Sequence, residues 1–417
     1  MKKKIIIYFN RIREHLWFRP FLFCLISVAA ALIAHQADET HLNDLVPIIK
    51  TESIKGLLDI LSSSMLVISI FAVGSLLSAY SAASRTATPR SFKIVITDDV
   101  SQYALSSFIS AFIFSIVATV AMDNGYYNKA GKFILFIITL IFFVVVILTF
   151  LRWVDKISRL GRLEHTIMQV ETVVTKSLSN YIKNPLLNAL PIKGEFPNSK
   201  SVLGDSTGYV QHIDMDALQK LGEEMDLKVR LNCIPGKFVN ENFEIAFVGS
   251  DHDVDMDKVN KKVNNAIEIG QTRLFDEDPR FGLITLSEIA SRALSSSVND
   301  PGTAIQIIGS HERLFFLWNN AHKNSTEEIK NDRVEVPEIS MEDFFDDAFR
   351  PISRDGDAFI EVMLRLQKAF SSLETINNDE IKKNAMQYSK YAFNSAKLAI
   401  KYKEDLDILE KQCLFNK

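Results

Sequence analysis

The chain has 417 residues, 47% of them hydrophobic and 24% charged, with a net charge of −4. That length exceeds one ordinary domain and leaves room for a membrane part and a folded soluble part. The slight acidity argues against a strongly basic protein that coats nucleic acid, and the three cysteines, Cys24, Cys233 and Cys413, stand too far apart for a disulfide framework or a zinc site.

The first 19 residues are basic, with Lys2, Lys3, Lys4, Arg11, Arg13 and Arg19 against Glu14 alone. The apolar run 20–34 follows, extended backwards by Trp17 and Phe18. A signal peptide also starts basic, but this basic region is long and holds a Trp, and no clear A-x-A site precedes His35. The run therefore reads as an uncleaved first span with Trp17 at the interface. Residues 60–84 carry no charge and form a second span. A third covers 102–122 and, after the Asn124–Gly125 turn, a fourth covers 132–151. Within the fourth, residues 133–151 have no charge, Gly or Pro; at ~1.5 Å per residue they cover roughly 28 Å, close to the hydrocarbon thickness of a bilayer. The first span covers about 17–35.

Orientation follows from the basic residues. The N-terminus, the loop with Arg85, Arg90 and Lys93, and the segment with Arg152, Lys156, Arg159 and Arg162 fall on one side of the four-span arrangement. The positive-inside rule makes that side cytoplasmic, so both termini and the rest of the chain face the cytoplasm. The basic face of 152–162 suits anionic lipid headgroups.

The second span differs from the others in its serines. Ser64, Ser75, Ser78 and Ala82 share one helical face, with Gly74 four residues before Ser78. Small residues at that spacing serve close helix packing. The same hydroxyls could line a path for an ion or water. No span contains an internal acid or base, which argues against a proton relay. Between spans two and three, Pro89 bends the chain, and Arg85 and Arg90 either set topology and touch phospholipid or dock onto the soluble part. Thr97 reads as the cap of the third span's helix.

The fourth span continues as a helix over 152–183, and 161–200 is a helical linker ended by Pro185 and Pro191. An α+β domain covers 201–311. Its expected elements are strands at 208–212, 227–233, 238–239 and 243–248, a helix capped by Asp214, and a helix over 256–269 capped by Asp255. The acids at 251–257 fail the calcium-loop pattern, because Met256 stands where Gly is needed and Lys262 where Glu is needed. Helix capping explains them.

The densest cluster of unusual residues runs from Gln271 to Ala304. Asp278-Pro279 and Asp300-Pro301 each read as an N-cap followed by Pro at the first helical position. With Arg273, Arg280, Arg292, Asn299 and Thr303 nearby, these starts could frame an anion-binding pocket. They could equally form Arg–Asp pairs that lock one helix to the next. Ser295, Ser296 and Ser297 lack a base in reach, so no nucleophilic triad is read.

Asp278-Pro279-Arg280-Phe281-Gly282, Arg292-Ala293-Leu294-Ser295 and Val298-Asn299-Asp300-Pro301-Gly302-Thr303-Ala304 resemble the DUF2254 family of bacterial membrane proteins. Pro89-Arg90, Gly208-Tyr209-Val210-Gln211 and Pro235-Gly236-Lys237-Phe238-Val239 are similar to it too. The likeness runs to about His311. It implies a multi-span N-terminal region and a cytosolic domain, and carries no catalytic residues.

Residues 312–357 are rich in acids and read as a flexible or partly ordered link. The segment 358–417 has helical periodicity and reads as a C-terminal helical pair. The chain is thus expected to be a multi-pass α-helical membrane protein with a C-terminal α+β cytosolic domain. No metal set, phosphate loop or acid–base pair marks an enzyme, and no cofactor is implied. Its expected partners are the lipid bilayer and further copies of itself, not nucleic acid. Two functions fit: a homo-oligomeric channel or solute pathway gated by the cytosolic domain, or a membrane-anchored sensor or scaffold binding a small anion.

Overall fold

The computed structural model describes residues 18–36, 38, 45–86, 88–96, 99–196, 198–322 and 329–416. The expectations for 1–17, for Thr97, and for the side chains of Arg19 and Arg85 fall outside the described residues. The chain divides into two compact units, Met1–Thr166 and Ile167–Lys417.

The first unit is helical: α1 (Phe18–Gln36), α2 (Thr51–Thr86), α3 (Pro89–Ile96), α4 (Asp99–Asp123) and α5 (Lys129–Arg159). Helices α2, α4 and α5 are long and apolar enough to cross a membrane, while α1 is a shorter apolar helix over Pro20–Gln36. Half of the α4 span is buried, against 22% for α2 and 17% for α5, so α4 is the central helix. Its seam is Ala104, Phe108, Ala111, Ser115, Ala118 and Met122, alternately four and three residues apart. Alanine at every seventh position lets α1 and α2 come close on either side. Phe114 stacks on Phe142 of α5 at 4.4 Å, and the buried Trp153 of α5 sits 6.1 Å from Phe71 and 6.3 Å from Phe108.

Polar groups close the two ends of this bundle. Asp38 follows α1 and accepts from the backbone N–H groups of Asn128 at 2.8 Å and Gly131 at 2.7 Å, so it caps α5 from outside that helix. Lys55 and Asp123 pair between the first turns of α2 and the end of α4. At the other end, Thr88 and Ser91 cap α3 reciprocally, with the Thr88 N–H donating to Ser91 Oγ at 3.0 Å.

The expected continuous helix over 152–183 is interrupted. Gly161 adopts φ +90° and lies 3.3 Å from both the Ala79 carbonyl and the Ala82 methyl, if a Cβ is built on it. A left-handed residue against a neighbouring backbone needs glycine, and it separates α5 from α6 (Leu163–Lys183).

The second unit contains most of α6. Ile167, Val170, Val174, Leu178 and Ile182 line its buried face, so this helix belongs to a core and is not a linker. The strands are β1 (Ala189–Pro191), β2 (Ser199–Leu203), β3 (Gly208–Ile213), β4 (Lys228–Leu231), β5 (Phe238–Val239), β6 (Glu244–Gly249), β7 (Ile267–Gly270) and β8 (Asn331–Val336). They form a five-stranded sheet in the order β1-β8-β4-β6-β2 and a three-stranded sheet in the order β5-β3-β7. Helices α7 (Met215–Glu224) and α8 (Met256–Ala266) start at the caps Asp214 and Asp255, which accept from the Ala217 and Lys258 N–H groups. Helix α8 stops at Ala266 and its continuation is β7, where a helix to 269 is expected from the sequence. Val229, Leu231, Val248, Leu218, Val259 and Val334 form the core between these elements.

A helical layer completes the unit: α9 (Pro279–Ala293), α10 (Pro301–His322), α11 (Met341–Asp355), α12 (Ile360–Glu374), α13 (Asp379–Ala399) and α14 (Lys403–Gln412). The stretch 312–357 is not a link. It supplies the end of α10, strand β8 between β1 and β4, and helix α11, which is buried along Phe344, Phe345, Ala348, Phe349 and Ile352. Its acids flank the buried face of α11, with Asp347 turned toward Arg280 of α9, and the apolar period between them sets the fold. Phe315, Phe345, Phe349, Phe370 and Tyr388 pack ring to ring across α10 to α13. Helices α12 and α13 pack together as a pair, and α14 adds a third helix.

Candidate functional site

The loop 271–278 joins β7 to α9 and turns Arg273 and Asp278 inward. Arg273 donates to Asp278 twice, from Nε to Oδ2 at 2.6 Å and from Nη2 to Oδ1 at 2.9 Å. The guanidinium also lies 5.2 Å from the Phe281 ring. Asp278 is 3% exposed and caps α9 by accepting from the Phe281 N–H at 3.1 Å. The 235–237 turn closes over the same carboxylate. Gly236 has φ +93° and donates its N–H to the Val210 carbonyl at 2.8 Å, and a Cβ there would collide with Asp278. Beside it Gln211 donates to the Thr272 carbonyl at 2.5 Å. His212 meets Glu277 at 2.6 Å, and that hydrogen bond holds the imidazole above its ordinary pKa. The result is a polar clamp between the small sheet and the start of α9.

Arg280 is equally engaged. Its Nε donates to Asp347 Oδ2 and its Nη1 to Asp343 Oδ2, each at 2.6 Å, which ties α9 to α11. Asp300 caps α10, accepting from the Thr303 N–H at 3.1 Å and the Thr303 hydroxyl at 2.6 Å. Asn299 takes a left-handed φ of 54° just before it. Arg292 lies in the last turn of α9. The expected single pocket is therefore not assembled. Arg273, Asp278 and Arg280 stand at one end of α9, and Arg292, Asn299, Asp300 and Thr303 at the other, roughly 20 Å away at ~1.5 Å per residue. The carboxylates that would have to leave for an anion to enter are those that hold the helices in register.

A different pair lies between these ends. His311 is fully buried and its Nε2 is 3.1 Å from Ser287 Oγ, whose hydroxyl also lies 2.7 Å from the Asp347 carbonyl and 2.9 Å from that of Ala348. Those two α11 carbonyls compete with the imidazole for the Ser287 proton, and with the proton on α11 the hydroxyl accepts from His311 Nε2. Burial pushes the His311 pKa down to about 3, against the pull of Glu171. Glu171 itself is held by Arg313 at 2.6 Å and by Ser310 at 2.6 Å. A slit between Val174, Leu283, Phe315 and Trp318 is lined by apolar side chains and is too narrow for a water molecule.

In the first unit, an open groove of about 510 Å³ runs between α2 and α5. Gly74, Ser75, Ser78, Ala79 and Ala82 form one wall with Phe71, and Ile157 and Leu160 form the other. Gly74 and Ser78 are exposed on the outer surface of the bundle; Ser64 is exposed as well but stands outside the groove. Several buried hydroxyls of the bundle lie instead on α4, where Ser106, Ser110 and Ser115 each donate to a carbonyl of their own helix at 2.6–2.9 Å; Ser27 of α1 and Thr139 of α5 do the same at 2.9 and 2.7 Å. The alternation of Ala and Ser along 104–118 is the sequence signal for that seam. Of the turn residues, Pro89 starts α3 and is exposed with Arg90.

Long apolar helices that bury a small-residue seam, followed by an α+β unit, define a multi-helix membrane protein. The chain belongs to the family described as predicted membrane protein DUF2254, whose model matches residues 13–372 and so extends beyond His311. An uncharacterised protein of Mycobacterium bovis, Mb1321c, and one of Mycobacterium tuberculosis H37Rv, Rv1290c, are each 29% identical over 110 residues. That match covers 26% of this chain and 21% of each relative, so it spans about a fifth of their length. A protein of Mycobacterium tuberculosis CDC 1551, MT1328, is 28% identical over the same length. No solved structure matches.

Proposed function

We propose that this protein is a four-span protein of the bacterial inner membrane, with α1 as the first span and both termini cytoplasmic. Copies assemble through the Gly74–Ser78 face of α2, and where those faces meet they line a pathway for a small solute or ion. The second unit controls it.

The observation that carries this reading is the outward placement of the groove. Ser27, Ser106, Ser110, Ser115 and Thr139 inside the bundle donate to carbonyls of their own helices, and Phe108, Phe114 and Trp153 pack against neighbouring rings. Ser75 and Ser78 stand at a surface where a second copy could approach closely. The alternative, an anion sensor built on Arg273 and Arg280, loses support because both guanidiniums already hold carboxylates of the chain.

The test is reconstitution of the full chain in liposomes with flux recording, alongside mass measurement of the particle in nanodiscs. The reading expects an oligomer, cross-linking of a Ser78→Cys variant between copies, and flux that Ser78→Leu removes. A monomer without flux for any ion tried overturns it.

A further inference from the structure

Helix α13 and the turn after it hold an uncompensated positive face. Between Glu380 and Glu404 the chain has six lysines, Lys382, Lys383, Lys390, Lys397, Lys401 and Lys403, and no acid. Lys383, Lys390 and Lys397 are seven residues apart and exposed, so they rise from one side of the helix. The opposite side, with Ile381, Ala385, Tyr388, Ala392 and Ala396, is buried. Elsewhere in this unit Lys200 pairs with Asp253, Lys262 with Glu224 and Arg333 with Asp226. Among the described residues none of the six ammonium groups does. Apolar side chains stand at the same surface: Leu398 is 91% exposed and Tyr402 73%.

Lysines alone make an ordinary solvated face. Lysines interleaved with a large side chain left almost wholly in water make an interfacial one, since the apolar tips gain by entering the headgroup boundary while the ammonium groups meet phosphate. The connection to the membrane unit is short, with α5 ending at Arg159 and α6 starting at Leu163. A bilayer is thus always present at high effective concentration. We propose that the exposed face of α13, together with the 400–403 turn, docks on an anionic phospholipid surface.

The test uses the full chain in nanodiscs, with a Leu398→Cys variant on a Cys24→Ser background carrying an environment-sensitive fluorophore; Cys233 and Cys413 are buried. Because a nanodisc presents the same lipid on both faces, the result does not depend on membrane orientation or on pore formation. The expected result is a blue-shifted emission in anionic but not in zwitterionic discs, quenched by lipids with brominated acyl chains. Raised salt and the combined Lys383→Gln, Lys390→Gln, Lys397→Gln and Lys401→Gln substitutions should each reverse it. Equal emission in the two lipids overturns the proposal. So does a shift that brominated lipid fails to quench, which would mean a protein partner at this face.

Discussion

Gly236 and Asp278 are 42 positions apart in the chain, yet the glycine backbone lies flat on the carboxylate, leaving no room for a side chain. The turn, the Arg273 ion pair and the α9 cap share one anion. Asp278→Ala should therefore cost roughly 3 kcal/mol or more, because it leaves the Arg273 charge buried without a partner and uncaps a helix. Asp278→Asn keeps an acceptor for the Phe281 N–H and should cost less. Thermal unfolding of the three proteins checks this order.

Helix α9 meets α6 at Gly282, where a Cβ would collide with Val174. Gly282→Ala should destabilise by about 1–3 kcal/mol through overpacking. Val174→Ala made in that background should restore part of the loss. The expected double-mutant coupling is at least about 0.5 kcal/mol; additive losses would contradict the contact.

Asp38 caps α5 across a gap of some ninety residues. Asp38→Ala should lower stability in detergent by ~1 kcal/mol, with Asp38→Asn less severe.

His311 is neutral in the folded protein, its pKa pushed down to about 3 by burial. The unfolded chain takes up that proton near the ordinary value of about 6.5. Between these values the unfolded state binds more protons, so stability rises with pH across that window and is lost as pH falls through it. The slope from this one group is at most ~1.4 kcal/mol per pH unit. A His311→Gln variant should lack that component when unfolding is followed from pH 4 to 7.

His212 has the opposite sign. Its pKa is raised by the Glu277 hydrogen bond, so the pair's stabilisation is complete below the unfolded pKa and fades as pH rises through the folded one. Glu277→Gln should bring the His212 titration back toward its ordinary range, read from its ring-proton resonance.

The long apolar runs were legible because burial in lipid leaves no alternative for 19 consecutive uncharged residues. The helix caps at Asp214, Asp255, Asp278 and Asp300 were equally readable, since a cap depends on neighbours three residues away. The reach of the second unit was not. In 312–357 the count of acids concealed the apolar period of α11, and β8 has its partners β1 and β4 more than a hundred residues earlier.

By itself, the amino-acid order determined the membrane-spanning character, most helix starts and the presence of a mixed α/β region, all set by forces acting within a few turns of chain. Only the tertiary structure decided which charges neutralise each other. Arg273 and Arg280 looked like ligands for an anion until folding brought Asp278, Asp343 and Asp347 within hydrogen-bond reach. A guanidinium is indifferent to where in the chain its carboxylate comes from, and distance in space alone selects the partner.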